Sequence, residues 1–417
     1  MSNFTPLDYQ FMVRALELAK RGIYTTAPNP NVGCVIARDG EIVGEGFHLK
    51  AGEPHAEVHA LRMAGEKAVG ATAYVTLEPC SHYGRTPPCA EGLIKAKVAK
   101  VICAMQDPNP QVSGRGIQML RDAGIDVEVG LLEADAKALN PAFIKKMQTG
   151  MPFVQLKMAA SLDGQTALNN GKSQWITSPQ ARQDVQTFRA MSGAILSTSK
   201  TVIDDNASLN VRWDDLPCSV QSRYGLKPSA LLKPSALLKP SALLKPSALL
   251  KPSDVLKPSD VLKLSDEVNS QAQKSAVRQP IRVILDRQHQ LTEDLNLFQT
   301  QGEVLRVGSE GSDINLTETG HQLDLAELMS QLAEQHNINH VWVEAGATLA
   351  GQLLVNGLVD ELIVYLAPKL MGSDGRGLIG ALGLECMSQV IELDIQDVRQ
   401  VGQDIRLIAK PVLKENK

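Results

Sequence analysis

Apolar positions along the first third of the chain change period in a fixed order. Residues 32–37 (Val-Gly-Cys-Val-Ile-Ala) and 41–47 flank Asp39-Gly40, a dipeptide that predicts a two-residue hairpin turn. From Ala56 to Ala68, Val58, Leu61, Met63 and Ala64 recur among charged residues at helical spacing, so a helix opens just after His55. Ala73 to Leu77 predicts a buried strand that runs into Pro79-Cys80. Thr86-Pro87-Pro88-Cys89 predicts a helix start, with Thr86 as N-cap and proline in the first turn. A first helix beginning at Thr5-Pro6, a helix at about 115–123 and a strand at 125–129 complete this block.

A composition seam lies at Lys146–Pro152, and divides the chain into 1–148 and 149–417. Beyond it a buried strand, Phe153 to Gly164, ends in polar residues. Ser178-Pro179 opens a helix reaching about Ala190, and Ala194–Leu196 is the next strand. Strands at 281–286, 303–307, 341–345 and 360–366 then alternate with helices at 324–335 and 348–357. Such alternation predicts a largely parallel α/β sheet with ligands at the C-terminal ends of its strands.

One stretch breaks the pattern. From Lys227, Lys-Pro-Ser-Ala-Leu-Leu occurs four times, Lys-Pro-Ser-Asp-Val-Leu twice, and Lys263-Leu-Ser-Asp-Glu-Val268 closes the series. A proline every sixth residue breaks helices and is excluded from central strands. The unit lacks the glycine and small polar turn residues of hexapeptide β-helices, which disfavours that fold. We expect a duplicated, mobile insertion at about 217–280, because closure entropy grows only logarithmically with loop length.

Charge and composition narrow the function classes. A formal net charge of −4 and only 4% aromatic residues give neither a basic groove nor stacking platforms for nucleic acid. No apolar run is long enough to span a membrane, and no secretory signal opens the chain. Cysteines at 34, 80, 89, 103, 218 and 386 have no disulfide-framework spacing and fit a reducing cytoplasm.

The candidate chemistry lies in His55-Ala56-Glu57, Pro79-Cys80 and Cys89. One imidazole and two thiolates can hold zinc and leave a fourth position open to water, which distinguishes a catalytic site from a closed structural one. Zinc brings the pKa of bound water to about 7. Glu57 is placed to move a proton from that water to a leaving amino group. The ordering resembles the signature of zinc deaminases, H-x-E then P-C-x-x-C. Here eight residues separate the two cysteines, so the common nucleoside-deaminase spacing is excluded. In the second half, Val341–Gly346 is a strand ending in glycine, and Ala347-Thr348-Leu349-Ala350-Gly351 opens the next helix. Free N–H groups there suit a dinucleotide's phosphates, although the glycines do not follow G-x-G-x-x-G.

Several motifs in order resemble the bifunctional deaminase–reductase family of riboflavin biosynthesis. They are Asn29-Pro-Asn-Val-Gly-Cys34, His55-Ala-Glu57, Glu78-Pro-Cys-Ser-His-Tyr-Gly-Arg-Thr-Pro-Pro-Cys89, Ala160-Ser-Leu-Asp-Gly164, Ser173-Gln-Trp-Ile-Thr177 and Glu344-Ala-Gly346. The long spacing between cysteines is that family's own. The resemblance implies a cytidine-deaminase-like α/β/α domain followed by a dihydrofolate-reductase-like α/β domain. The first would deaminate a diaminopyrimidinone bearing a ribosylamino phosphate; the second would use NADPH to reduce the ribosyl chain to ribityl.

By motif position, the resemblance implies zinc on His55, Cys80 and Cys89, with Glu57 as proton shuttle. Asn29, His48, His82 and Arg85 would line the deaminase pocket. Ala159, Trp175, Thr201, Asp205 and the turn Gly346, Ala347, Thr348, Leu349, Ala350, Gly351 and Gln352 would meet NADPH. Ser173, Arg189, Leu209, Arg212 and Glu344 would meet the reductase substrate. Arg189 and Arg212 offer bidentate forks to a phosphate. Lys157 either contacts the substrate or snorkels to the surface. Arg287 stands where the family often has a small hydroxyl residue; it either pairs with the cofactor's 2′-phosphate or faces solvent. Partners are therefore a phosphorylated pyrimidine and other copies of the chain, not nucleic acid or membrane.

Two rival readings remain. A nucleic-acid-editing deaminase would need a basic, aromatic groove. A structural zinc staple would need a fourth protein ligand, for which His59, His82 or Cys34 is available.

Overall fold

The computed structural model describes residues 4–83, 87–224, 277–320 and 322–412. In the first half, five strands form one sheet in the order β2-β1-β3-β4-β5. They are β1 Gly33–Arg38, β2 Glu41–Phe47, β3 Thr72–Val75, β4 Lys100–Cys103 and β5 Asp126–Val129. β1 is antiparallel to β2 and β3, whereas β3, β4 and β5 run parallel. Asp39 and Gly40 close the hairpin, both with φ above zero, as a type I′ turn requires.

Helices cover both faces of this sheet. Ala56, Ala60, Ala90, Leu93, Ile117 and Leu120 pack on the face that carries Cys34, Ile36, Val75 and Val101. Phe11, Met12, Leu16 and Ala136 pack on the face that carries Val35, Tyr74 and Ile102. The first helix, Pro6–Ala19, starts at a capping box between Thr5 and Asp8. Two helices escape the sequence pattern, Glu133–Leu139 and Pro141–Thr149. The second ends directly before the sheet of the second half.

That second sheet has nine strands in the order β11-β10-β9-β8-β14-β6-β15-β18-β17. Seven of its strands are β6 Phe153–Ser161, β8 Ala194–Thr198, β9 Ile281–Leu285, β10 Val304–Gly308, β11 Ile314–Asn315 at one edge, β14 His340–Glu344 and β15 Glu361–Ala367. All of these pair in parallel. Two antiparallel strands, β17 Glu392–Val401 and β18 Asp404–Val412, complete one edge. Short pairs lie outside the sheet: β7 Gln165–Ala167 with β16 Arg376–Gly377, and β12 Glu318–Thr319 with β13 Gln322–Leu323. Helices Leu325–Glu334 and Ala347–Val355 bury Leu328, Leu332, Leu349 and Leu353 on one face. Helix Pro179–Met191 buries Val185 and Phe188 on the other.

Two sequence expectations change. The N-cap of helix Cys89–Lys95 is Pro88, not Thr86, which lies outside the described residues with Gly84 and Arg85. Residues 225–276, which hold the repeat, also lie outside them. The flanks that we assigned to a mobile insertion are packed: Cys218–Tyr224 is helical, and Val220 and Val277 are buried in one cluster with Tyr24 and Val211.

Candidate functional site

Strand β2 approaches the helix Ala56–Ala64 so closely that only glycine fits at two alternate positions. A Cβ on Gly46 would lie 2.5 Å from the Ala56 carbonyl oxygen, and one on Gly44 would lie 2.2 Å from that of Ala60. His55 is the N-cap of this helix and Glu57 lies in its first turn. From across the sheet, the chain after β3 brings Cys80, and helix Cys89–Lys95 begins at Cys89. His55 Nδ1 is 3.6 Å from Cys80 Sγ and 3.3 Å from Cys89 Sγ. All three donor atoms lie within 4.8 Å of one another, and no fourth His, Cys, Asp or Glu joins them among the described residues. Cys34 instead packs in the apolar core, which removes it as a closing ligand.

The electrostatics suit a metal. The Cys89 backbone N–H donates to Cys80 Sγ at 3.3 Å. Hydrogen bonding from Cys89 and then His55 lowers the Cys80 thiol, while the same contact and burial raise Cys89. The two sulfurs thus compete for protons that a cation would displace. Glu57 is 3% exposed, and its Oε2 is buried without a hydrogen-bond partner. Burial raises its pKa. One neutral imidazole, two thiolates, an open side and an orphaned carboxylate oxygen fit zinc with a bound water.

A cavity of about 470 Å³ opens on this cluster, lined in part by Asn29, His48, His55, Glu57, Cys80 and His82. Asn29 Nδ2 lies 3.2 Å from His48 Nε2. Burial, then the neighbouring His55, lowers the His48 pKa to about 4, so His48 is neutral. Arg85 lies outside the described residues. The structure adds residues that the sequence reading passed over. Asp107 and Asn109 line the cavity, and burial raises Asp107 to about 6. Glu78 accepts hydrogen bonds from the backbone N–H groups of Asp107, Gly114, Gly116 and Ile117, at 2.9–3.3 Å. A single carboxylate therefore ties the 107–117 loop to the segment that bears Cys80; its place before Pro79-Cys80 was the available signal.

In the second half, two adjoining cavities lie at the C-terminal ends of β6, β8 and β14. The larger, about 1090 Å³, is lined by Ser173, Thr201, Asp205, Gly346, Ala347, Thr348, Leu349 and Gln352, among others. The other, about 500 Å³, is lined by Lys157, Ala159, Ser173, Trp175, Thr201, Asp205, Arg189, Leu209, Arg212 and Glu344, among others. Ser173, Thr201, Asp205 and Gly346 line both. Ala350 and Gly351 do not face either cavity; both are buried. A run of seven residues that enters a helix cannot present every side chain to one ligand, because each step turns by about 100°. Trp175 is 64% exposed beneath the Arg182 guanidinium, and stands at the smaller cavity rather than the larger.

Arg189 differs from its expected role as a free fork. Its Nε and Nη2 grip both oxygens of Glu344, and Nη1 donates to the Asn210 carbonyl at 3.0 Å. Trp342 Nε1 also donates to Glu344, at 2.8 Å. Burial alone would raise Glu344, but Arg189, Lys157 and the Trp342 hydrogen bond outweigh it and hold the carboxyl at about 2. Burial lowers Lys157. Arg212 is half-exposed and paired with Asp215. Arg287 pairs with Glu318 at 2.9 Å, and Leu285 rather than Arg287 lines the larger cavity. Of the two roles open to Arg287, the structure shows a half-exposed guanidinium paired with Glu318, away from the lining of that cavity.

Comparison with known proteins agrees with both halves. Residues 6–105 match the cytidine and deoxycytidylate deaminase zinc-binding region, and residues 152–407 match the RibD C-terminal domain. The chain is 50% identical to riboflavin biosynthesis protein RibD of Escherichia coli, across 96% of this chain and 98% of that one. It is 48% identical to the Haemophilus influenzae protein of the same name, across 99% of each. Among solved structures, Acinetobacter baumannii RibD is 44% identical with a TM-score of 0.78, covering 98% of this chain and 99% of that one. A deaminase/reductase from Thermotoga maritima is 29% identical with a TM-score of 0.74, covering 97% of this chain and 99% of that one. A zinc-binding deaminase half joined to a reductase half, over the full length of these relatives, means that the chain belongs to the RibD family of riboflavin-biosynthesis enzymes.

Proposed function

We propose that this chain first deaminates 2,5-diamino-6-ribosylamino-4(3H)-pyrimidinone 5′-phosphate. It then reduces the ribosyl chain with NADPH, giving 5-amino-6-ribitylamino-uracil 5′-phosphate. The observation that carries this reading is the buried, unpartnered Glu57 Oε2 beside the His55–Cys80–Cys89 cluster. Those three residues would hold zinc, which supplies a water of pKa about 7 when bound. Glu57 takes a proton from the attacking water and returns it to the departing amino nitrogen. Asn29 and neutral His48 orient the pyrimidine; His82 and Arg85 complete its contacts.

In the reductase half, NADPH supplies the hydride when bound. The helix start at Gly346–Leu349, with Gln352, Thr201 and Asp205, would cradle it, and Ala159 and Trp175 would border the substrate side. Ser173, Leu209 and Arg212 would hold the phosphorylated sugar. Glu344, kept ionised and oriented by Arg189, would accept from substrate hydroxyls, with Lys157 beside it. The domains divide at about residue 148, in the last turn of helix Pro141–Thr149 and just before β6.

The exposed strand β17 presents Leu393, Ile395 and Val398 at the sheet edge, which supports a homo-oligomer built on this edge. Light scattering of a variant with lysine at Ile395 and Val398 tests it; an unchanged mass would overturn that assembly. Six free cysteines support a reducing, cytoplasmic setting. No described helix is long and apolar enough to cross a membrane.

The deciding experiment is incubation with the diaminopyrimidinone phosphate, zinc and NADPH, followed by ammonia assay and product mass. Ammonia release with NADPH oxidation and the ribityl product mass supports the reading. Unaltered substrate would overturn it.

A further inference from the structure

We infer that the deaminase pocket is completed by the reductase half of the same chain, and that Asn339 is a positioning residue for the pyrimidine. The inference rests on the deaminase reading above.

The loop from Thr26 to Val32 forms one wall of the deaminase cavity, with Pro28, Asn29, Pro30 and Val32 all lining it. The loop is held from outside its own sheet, at two points. On one side Asn31 N–H donates to Asn140 Oδ1 at 2.7 Å, and Asn140 Nδ2 donates back to the Asn31 carbonyl at 2.9 Å. On the other side Asn339 Nδ2 donates to the Pro28 carbonyl. Between these two clamps, Asn29 meets His48.

Asn339 is rigidly placed for this task. It is 8% exposed, and its own carbonyl accepts from Phe153 N–H at 2.8 Å, at the start of β6. The next residue, His340, pairs in register with Phe153 as β14 begins. The reductase sheet therefore fixes Asn339, and Asn339 fixes the turn that presents Asn29. A buried donor committed to a half-buried carbonyl is costly to remove, because the carbonyl loses its partner.

Asn337, two residues earlier, lines the deaminase cavity directly. It adopts φ +53°, and its Oδ1 accepts from Lys146 in the connecting helix. It also lines a second cavity, of about 540 Å³, between the halves, together with Pro28, Asn29 and Phe143. The chain entering β14 thus carries Asn337 of the deaminase wall, and β14 ends at Glu344 of the reductase cleft.

Two full-length variants test this: Asn339→Asp, which keeps the shape and removes the N–H donor, and Asn337→Gly, which keeps the backbone because glycine adopts positive φ freely. Both are assayed for deaminase kcat and KM, reductase turnover of deaminated substrate, zinc content and melting temperature. The expected result is a deaminase KM raised about tenfold in Asn339→Asp, about the factor lost with one hydrogen bond. Asn337→Gly raises KM several-fold. Deaminase kcat, zinc content and reductase turnover stay within about twofold of the parent chain. Unchanged KM in both variants overturns the inference, and so does a parallel fall of both activities with the melting temperature, which is the mark of general destabilisation. A parent chain that releases no ammonia overturns the deaminase reading instead.

Discussion

Glu57 is buried and Glu344 largely so, and their surroundings move the two carboxylates in opposite directions. Burial raises Glu57, whose Oε2 has no partner. Arg189 grips Glu344 on both oxygens and holds it at about 2. The first arrangement suits a group that exchanges protons, the second a fixed anion. Glu57→Gln is expected to retain zinc and to lose deamination by about 10²–10⁴-fold, because an amide cannot accept the water's proton. Metal content and ammonia release, measured on one preparation, decide this; near-normal turnover with zinc bound would remove Glu57 from the mechanism. The Glu344 pair predicts an acid limb of stability. Its folded pKa lies below the unfolded value of about 4.3, so the unfolded chain binds more protons between the two. Its contribution is full above about pH 4.3 and is lost as pH falls through about 2. Glu344→Gln is expected to lower stability at neutral pH by about 3 kcal/mol, since a buried guanidinium loses its partner. It also flattens this part of the profile, which urea unfolding from pH 6 down to pH 2.5 would show. An acid limb as steep as the parent's would assign the effect to other groups.

At the scale of elements, the zinc site was legible because its ligands sit within one short window, on elements with clear periods. The hairpin at Asp39-Gly40, the helix after His55 and the strand before Cys80 each follow from their own residues. What local pattern did not show is why the helix lies where it does. Gly44 and Gly46 face the helix from β2, and their meaning depends on a tertiary approach. Gly46→Ala is expected to cost about 1–3 kcal/mol, because a Cβ there displaces the Ala56 carbonyl. The displacement propagates to His55, so zinc is lost to a chelator at lower concentration than from the parent chain. Parent-like melting and zinc retention would show that the helix shifts freely. The β17–β18 hairpin also escaped the sequence reading. A register shift between Ile395 and Asp397 moves Val398 out of alternation with Leu393 and Ile395, so the period of two is broken by a bulge. The reductase cleft was the least legible part. Its residues come from β6, β8, β14 and the loops after them; the turn at Gly346 was legible from its own residues, and family resemblance gathered the rest. Ala350 and Gly351, in the turn that the sequence marked for a dinucleotide, are buried, and Arg189, expected at the substrate, lines the cleft while gripping Glu344.

For the whole molecule, the two cavities lie in different sheets, and chemistry in one is separable from chemistry in the other. Cys80→Ser is expected to abolish zinc binding and deamination while NADPH oxidation with deaminated substrate persists. Arg212→Ala is expected to raise the reductase KM and spare ammonia release. Loss of both activities from either change in a folded protein would mean that the halves do not work independently. The repeat between them bears on the same question. Its flanks, Tyr224 and Val277, pack in the same small apolar cluster beside Tyr24 of the deaminase half, so the two ends of the excursion meet. Joining them does not require the reductase sheet to move, and a short loop there costs no more closure entropy than a long one. Lys227–Val268 contains no histidine or cysteine, and its lysines and aspartates recur with the period of the repeat. Replacing Lys227–Val268 with a short Gly/Ser bridge is therefore expected to leave ammonia release and NADPH oxidation within about twofold of the parent, and the melting temperature unchanged within a few degrees. The reductase is the sensitive reporter, because Arg212 and the cluster at Val211 lie just before the excursion. A fall in reductase turnover with deamination intact would give the repeat a part in building that cleft.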